Sequence, residues 1–399
     1  MPVKSLREGK THLKSTMEHT EKFARELGSP LSEMALHALK ASMAHSYGIW
    51  RTFRQALGIE KGFEFYHALI KEKTDFSVPK VAATLGIEEV GDIQTIGKMV
   101  DWYMTHFPVL YRTIKNTDRI HIGQVLWCPN PAYGPCENFL DRHAYFRTEA
   151  AVTLDPVLTG FVQFAQQHGF AGEVEVDVPQ ALCTNGNVCF CRFIIRKKGE
   201  PPPENPLQPA EEKDFFEYGL GDEEPLFHVL KKQGRTVEDQ APRSFLGFIV
   251  YDHMANRVLH DRLGKKEASE VYKKIWLTYP KRWVKEARLE LELGKITDLE
   301  DLARIIAFCA RKKFVPYRIK PRGKDRVALV GEMDPFVEMG TEFLGKKVRG
   351  VYLNDVHAAS LAWVHEIISG TKMAHAARVT QVKSLAMGDD LNEMILERN

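Results

Sequence analysis

The chain has 399 residues, of which 44% are hydrophobic and 27% are charged, and its formal net charge is only +2. This composition is typical of globular proteins, and a chain of this length is expected to fold as two or three domains. Because 55 basic side chains balance 53 acidic ones, neither nucleic acid nor an anionic membrane is expected as a partner. The amino terminus lacks the apolar core of a signal peptide, so we expect a cytoplasmic location and reduced cysteines.

The start of the chain predicts a polar arm followed by a helix. Residues 1–31 show no sustained apolar face, and we expect them to lie on a partner subunit or on the second half of the chain. A helix is predicted to begin near Ser32, as its cap, and to stop at Gly58. Its core-facing side, at three- and four-residue spacing, is formed by Leu39, Met43, Tyr47, Trp50, Phe53 and Leu57.

The remaining elements of the first half follow from the same spacing rules. Helical spacing alternates with the apolar-polar alternation that is typical of strands. The predicted helices cover 60–72, the segment after a capping Asp92, and 153–168, and the predicted strands cover 114–127, 174–178 and 188–195.

A break in composition separates the two halves of the chain. Residues 200–224 contain a Pro-Pro-Pro run and nine acidic residues against a single lysine, Lys213. Such a segment cannot bury a core, so 200–224 is predicted to be extended and solvated, within an acidic, Pro-rich linker that covers 200–240. The alternative is a docking segment, because Phe215 and Phe216 stand among the acidic residues.

The second half resembles the first when the sequence is aligned with itself. The matches include Leu57-Gly58 with Leu263-Gly264, Asp92 with Asp298, and Tyr111-Arg112 with Tyr317-Arg318. The alignment predicts an α+β fold made of two tandem, helix-rich domains, 32–199 and 241–399, each with an antiparallel sheet. We expect the two domains to pack as an intramolecular pseudo-dimer, with further homo-oligomerisation left open.

Five of the six cysteines lie between Cys128 and Cys191. One interpretation is core packing, because cysteine is a common small buried residue and Cys189 and Cys191 are two apart on a predicted strand. The other is a metal site in the first domain, with Cys128, Cys183 and Cys189 as thiolate ligands of zinc or iron. The self-alignment places Cys191 opposite Glu393 of the second domain.

Other side chains of the first domain are candidates for chemistry or for ligand binding. Cys136 stands on a predicted turn as a candidate catalytic nucleophile, with His143 as its base. Trp50, Tyr103 and Trp127 are expected to line a mostly apolar pocket for a small organic ligand.

The first domain also resembles a known family. The helical entry from Leu57-Gly58 to Tyr66, and the ending Cys183…Gly186…Cys189-Phe-Cys191-Arg192-Phe193, carry the likeness. They resemble the L-2-amino-thiazoline-4-carboxylic acid hydrolase-like family, which is itself similar to four-vinyl-reductase-like ligand-binding domains. The resemblance covers roughly 36–198 and, more weakly, 241–398, where Met387-Gly388-Asp389-Asp390 stands in the equivalent turn. Zinc-bearing relatives would carry a glutamate where this chain has Gln180, and this departure leaves the identity of the metal open.

Two functions of different class follow. The resemblance implies a hydrolase that opens a C–N bond of a small cyclic substrate, with water activated by a metal or a histidine. The first domain would then be active and the second degenerate. The alternative is a non-catalytic, sensor-like protein that binds a small molecule or cofactor in an apolar pocket.

Overall fold

The computed structural model describes residues 6–128, 154–184, 188–203, 224–343 and 346–399. The predicted α+β class is confirmed, because each half of the chain combines helices with its own four-stranded antiparallel sheet. The helices of the first repeat are α1 Leu6–Leu27, α2 Leu31–Leu57, α3 Ile59–Leu85, α4 Ile93–His106 and α5 154–167. Its strands are β1 Leu110–Asn116, β2 Ile120–Trp127, β3 Val174–Thr184 and β4 Val188–Lys197.

A connecting helix, α6 Glu224–Lys232, precedes the second repeat, which begins ahead of the predicted boundary at 241. The helices of the second repeat are α7 Val237–Arg262, α8 Lys265–Trp276, α9 Pro280–Glu290, α10 Leu299–Arg311, α11 Pro335–Phe343 and α12 Lys346–Ser369. Its strands are β5 Arg318–Pro321, β6 Arg326–Gly331, β7 Ala377–Lys383 and β8 Asn392–Arg398.

The two repeats share the order of their elements. Their strand orders, β1-β2-β4-β3 and β5-β6-β8-β7, are equivalent. Each repeat caps the helix before its sheet with an aspartate: Asp92 accepts a hydrogen bond from the Thr95 N–H at 2.7 Å, and Asp298 accepts one from the Asp301 N–H at 2.8 Å. α3 corresponds to α8 and α9 together, because Pro280 starts a new helix in the second repeat. The predicted pair of related tandem domains is therefore confirmed.

The last strand corrects the self-alignment by one residue. In the first sheet, Cys191 pairs with Val125. The position equivalent to Val125 is Gly331, which pairs with Asn392 in the second sheet. Cys191 therefore corresponds to Asn392, and its predicted counterpart Glu393 is wrong. The error matters because a slip of one residue moves a side chain to the other face of the sheet.

The repeats are joined where α2 packs along α7, and one hydrophobic core includes buried residues of both. A further contact joins α2 to Tyr279, the residue before α9, and Gly48 permits this close approach, since a Cβ there would lie 3.0 Å from the Tyr279 ring. The Tyr279 hydroxyl donates a hydrogen bond to the Ala44 carbonyl at 2.6 Å across the same contact. Side chains of one repeat thus complete the interior of the other.

The N-terminal segment is a helix, not the featureless arm that its sequence predicts. α1 packs on α7, where the rings of Phe23 and Phe245 meet edge to face with centroids 5.3 Å apart. Its buried side includes Thr16 and Thr20 beside Phe23 and Leu27. The sequence pattern does not reveal the buried side of α1, because two of its positions are threonines, which are not apolar residues. The segment lies on the second half of the chain, which is one of the two expected placements.

Part of the predicted linker also folds. Residues 204–223, which hold the candidate docking segment, lie outside the described residues. In the helix that follows, Leu226, Val229 and Leu230 are buried in a cluster with Trp127 of the first repeat. The predicted linker 200–240 therefore includes a packed helix, α6, whose apolar spacing buries one side against the first repeat.

Two helix boundaries differ from the prediction. α3 continues past the predicted end at 72, because Thr74 and Ser77 donate their hydroxyl hydrogen bonds to carbonyls one turn earlier. These residues therefore stay inside the helix. The predicted Ser32 cap of α2 is wrong, because Pro30 occupies the cap position and no side chain bonds there.

Candidate functional site

A pocket of about 250 Å³ opens between the repeats, bounded mainly by α3, α4 and α7. The first repeat supplies two of these walls and the second repeat the third, so the pocket requires both. Among the described residues none of its lining side chains is acidic. The apolar lining is Phe76, Val81, Trp102, Tyr103, Phe107, Leu246 and Val250, and the basic lining is Lys73, Lys80, His106 and Arg243.

Lys73 is buried in this pocket, with only 8% of its surface exposed. Its ammonium donates a hydrogen bond to the Tyr251 hydroxyl at 2.9 Å and lies 4.1 Å from the centre of the Tyr251 ring and 5.0 Å from that of Phe107. No carboxylate of the described residues forms an ion pair with it. Because buried charges are normally paired, Lys73 is a candidate group for binding an anion.

Arg243 reaches the pocket from the first turns of α7 and is half-buried. Burial lowers the pKa of its guanidinium, while Asp239 one turn earlier acts in the opposite direction. Asp239 is engaged elsewhere, because its carboxylate accepts a hydrogen bond from the Thr236 N–H at 2.7 Å in the capping box of α7. Within the described ranges Arg243 makes no ion pair, so its guanidinium can take a carboxylate in a two-pronged hydrogen bond.

Two titratable groups complete the basic lining. Burial lowers the pKa of Lys80 to about 7, and its amine lies 3.3 Å from the centre of the Phe76 ring. Burial also lowers the pKa of His106 to about 4, against the effect of its hydrogen bond to the Trp102 carbonyl. His106 is therefore neutral near pH 7. Its Nδ1–H donates to that carbonyl at 2.7 Å, which leaves the lone pair on Nε2.

The equivalent region of the second repeat has a different charge pattern. Glu286 stands where the first repeat has Lys80, and it pairs with Arg282 at 2.9 Å and with Lys312 at 3.6 Å. The pocket on that side, of about 380 Å³, is lined by both acidic and basic side chains. The shared fold therefore does not dictate the charge of this region, and a lining without acidic side chains is a feature of the first-repeat pocket.

A wider groove of about 850 Å³ adjoins the pocket and shares His106 and Arg243 with it. The groove is more polar than the pocket, and its lining includes Arg112, Lys232 and Arg235. The approach to the pocket is thus mainly basic, which favours the arrival of anions.

A second polar cluster lies in the core where the repeats meet. The fully buried Asp252 accepts hydrogen bonds from His45 at 3.0 Å, Trp276 at 3.2 Å, Tyr272 at 2.5 Å and Tyr352 at 2.9 Å. Burial alone raises the pKa of Asp252, but His45, Tyr272 and Lys313 together hold it below its ordinary value. Asp252 lines none of the pockets named above, so we assign this cluster to stability.

The aromatic residues that the sequence predicted as ligand-binding lie in three different places. Tyr103 lines the pocket. Trp50 is 1% exposed and packs inside the core against Tyr47, and Trp127 is buried beneath α6. The structure therefore does not bring the three together.

The predicted metal ligands occupy one end of the first sheet. Cys128 directly follows β2, and Cys183 is paired with Cys189 in the β3–β4 ladder. The start of β4 lies beside the end of β2 because these strands are antiparallel. In the described part of the chain, no group of three or more His, Cys, Asp or Glu is arranged to hold a metal ion. Cys136 and His143 lie outside the described residues, so the nucleophile and the metal site stay predictions.

Reasoning from the sequence missed the basic lining of the pocket. Lys73 and Lys80 are two helical turns apart and so share one side of α3. The self-alignment contains one signal for Lys80, because it aligns this lysine with Glu286, a residue of the opposite charge. Arg243 carries no such signal, because only the packing of the repeats brings it to the pocket.

No protein-family model matches this chain, and no curated protein matches it significantly. The resemblance to the amino-thiazoline carboxylate hydrolase-like family therefore stays an expectation from the sequence. Across the described ranges, no helix has both the length and the apolar character needed to cross a membrane. The fold and the site define an α+β tandem-repeat protein with a basic, aromatic-lined pocket between its repeats.

Proposed function

We propose that this protein binds a small organic anion with an apolar body in the pocket between α3, α4 and α7. The observation that carries the proposal is Lys73, a buried ammonium with no carboxylate partner among the described residues. Arg243 adds a second cation that likewise makes no ion pair there. An anion would offset both charges in surroundings of low polarity, where the attraction is stronger than in water.

The pocket volume limits the size of the ligand. A cavity of about 150 Å³ holds benzene, so the pocket of about 250 Å³ suits a ligand of roughly ten non-hydrogen atoms. Trp102, Tyr103 and Phe107 offer rings against which an aromatic body can pack edge to face or offset. The ligand class is therefore small carboxylates with an aromatic or branched apolar body.

Isothermal titration calorimetry with 3-phenylpropionate tests the proposal. We expect Lys73→Met and Arg243→Gln each to weaken binding by about tenfold, the equivalent of about 1.4 kcal/mol, because each removes a charge-assisted contact. Lys71→Met is the matched control, since Lys71 lies on the same helix and its side chain is 43% exposed. The neutral amide of the same acid should bind more weakly than the acid. Equal affinity for acid and amide, or no binding to the unmodified protein, would contradict the proposal.

The hydrolase function that the resemblance implies has one observation in its favour. Cys128, Cys183 and Cys189 lie at the same end of the first sheet. Elemental analysis of protein purified without oxygen or a metal-affinity tag, beside the variant Cys183→Ala, provides the test. About one zinc or iron per chain that is lost in the variant would support a metal-assisted reaction, and no metal in either protein would count against it. The cytoplasmic location and further homo-oligomerisation stay predictions.

A further inference from the structure

The anion pocket contains two lysines in different situations. The ammonium of Lys73 donates a hydrogen bond to Tyr251 and lies over the faces of two aromatic rings. Lys80 lines the same pocket two turns further along α3, with its amine against the face of Phe76. A lysine amine in an apolar pocket beside other cations is the arrangement in which the neutral, nucleophilic form becomes available.

We propose that Lys80 forms a reversible Schiff base with the carbonyl group of a small keto or aldehyde carboxylate, an inference that rests on the anion pocket proposed above. The carboxylate would be held by Lys73 and Arg243, which leaves the carbonyl carbon for the amine of Lys80. The same pocket thus supplies the charge that binds the ligand and the nucleophile that reacts with it.

The reaction balances without any oxidant or reductant. The lone pair of the Lys80 amine forms a C–N bond to the carbonyl carbon, and the carbonyl oxygen takes a proton to give a carbinolamine. The nitrogen loses a proton and the carbinolamine loses water, so one amine and one carbonyl become one imine and one water. His106 lines the pocket with a neutral imidazole whose Nε2 carries the lone pair, so we assign it the proton transfers.

Two observations favour Lys80 over Lys73 in the same pocket and over the equivalent position of the second repeat. Burial lowers the pKa of Lys80 to about 7, so a large fraction of its amine is neutral near pH 7. At the equivalent position the second repeat has Glu286, which is paired with Arg282 and cannot form an imine. The equivalent position of the second repeat therefore cannot carry this chemistry.

Reductive trapping with phenylpyruvate tests this inference. The protein is incubated with phenylpyruvate and sodium borohydride, and a trapped adduct adds the mass of the acid less one oxygen atom. Peptide mapping should find the adduct at Lys80 on the order of a hundredfold above the exposed Lys71, because the neutral fraction of an ordinary lysine is far smaller. The label should be missing at this position in Lys80→Met. Excess 3-phenylpropionate, which has a methylene in place of the carbonyl, should suppress the labelling.

The design separates the two proposals. If 3-phenylpropionate binds but Lys80 is labelled no more than Lys71, the Schiff base is overturned and the anion pocket stands. If neither acid binds, both proposals fall. If Lys80→Met does not fold, peptide mapping of the adduct on the unmodified protein still decides between Lys80 and other lysines.

Discussion

Replacing Asp252 by alanine should destabilise the protein far more than the same replacement at Ser46, its counterpart in the first repeat. Asp252 accepts four hydrogen bonds without any exposure to solvent. Ser46 shares a neutral hydrogen bond of 2.7 Å with Tyr66, which corresponds to Tyr272 in the second repeat. The two positions thus compare a buried carboxylate with a buried hydroxyl on equivalent helices.

The expected magnitudes follow from the groups that each change leaves without a partner. Asp252→Ala strands four buried donors, and removing one side of a buried charged network costs about 3–5 kcal/mol. Ser46→Ala removes a neutral, hydrogen-bonded hydroxyl and should cost about 1–2 kcal/mol. Asp252→Asn keeps one acceptor oxygen and should fall between them.

Urea denaturation measures these differences. The free energy of unfolding should be followed by both circular dichroism and tryptophan fluorescence, since coincident transitions are needed to compare the variants. We expect Asp252→Ala to lose about 1–4 kcal/mol more than Ser46→Ala. Equal losses, or a larger loss in Ser46→Ala, would refute the assignment of the carboxylate cluster to stability.

Three further predictions concern the pocket and its surroundings. Lys80 adds a positive charge only below its pKa of about 7. The affinity for 3-phenylpropionate, measured by calorimetry, should therefore fall by about three- to tenfold between pH 6 and pH 8. A rise in affinity over this range would contradict the site. Leu230→Ala in α6 should lower the free energy of unfolding by about 2–5 kcal/mol in urea denaturation. Phe227 is 44% exposed, so Phe227→Ala should change the stability little. Equal effects of the two substitutions would count against a packed α6. Gly97→Ala should lower the melting temperature, because its Cβ would strike buried side chains, while Gly91→Ala, with open space around it, should not; the opposite order would exclude a tight contact between α4 and the sheet.

The sequence predicts those parts of the fold that local patterns determine. The helical spacing of Met43, Tyr47 and Trp50 identifies α2, and the matching caps Asp92 and Asp298 reveal the duplication. The register of the last strand is not fixed locally, because it depends on pairing with a strand distant in the chain. The alignment of the two sequences alone was therefore wrong there by one residue.

The candidate site escapes prediction for a different reason. Tyr103 was identified by its position in a helical stripe, but nothing local distinguishes Lys73 from a solvated lysine. Its significance arises when Tyr251 and Arg243, from the other repeat, close the pocket around it. Burial and charge balance are properties of the assembled interface, so they become visible only when both repeats are in place.

The central claim, an anion pocket between the repeats, is tested most directly by locating a bound anion. Crystals soaked with 4-iodobenzoate provide this measurement, because the anomalous signal of iodine marks the position of the ligand. The account predicts an iodine peak between α3, α4 and α7, with the carboxylate on Lys73 and Arg243. Iodine only at other places, or an empty pocket at saturating ligand, would contradict it.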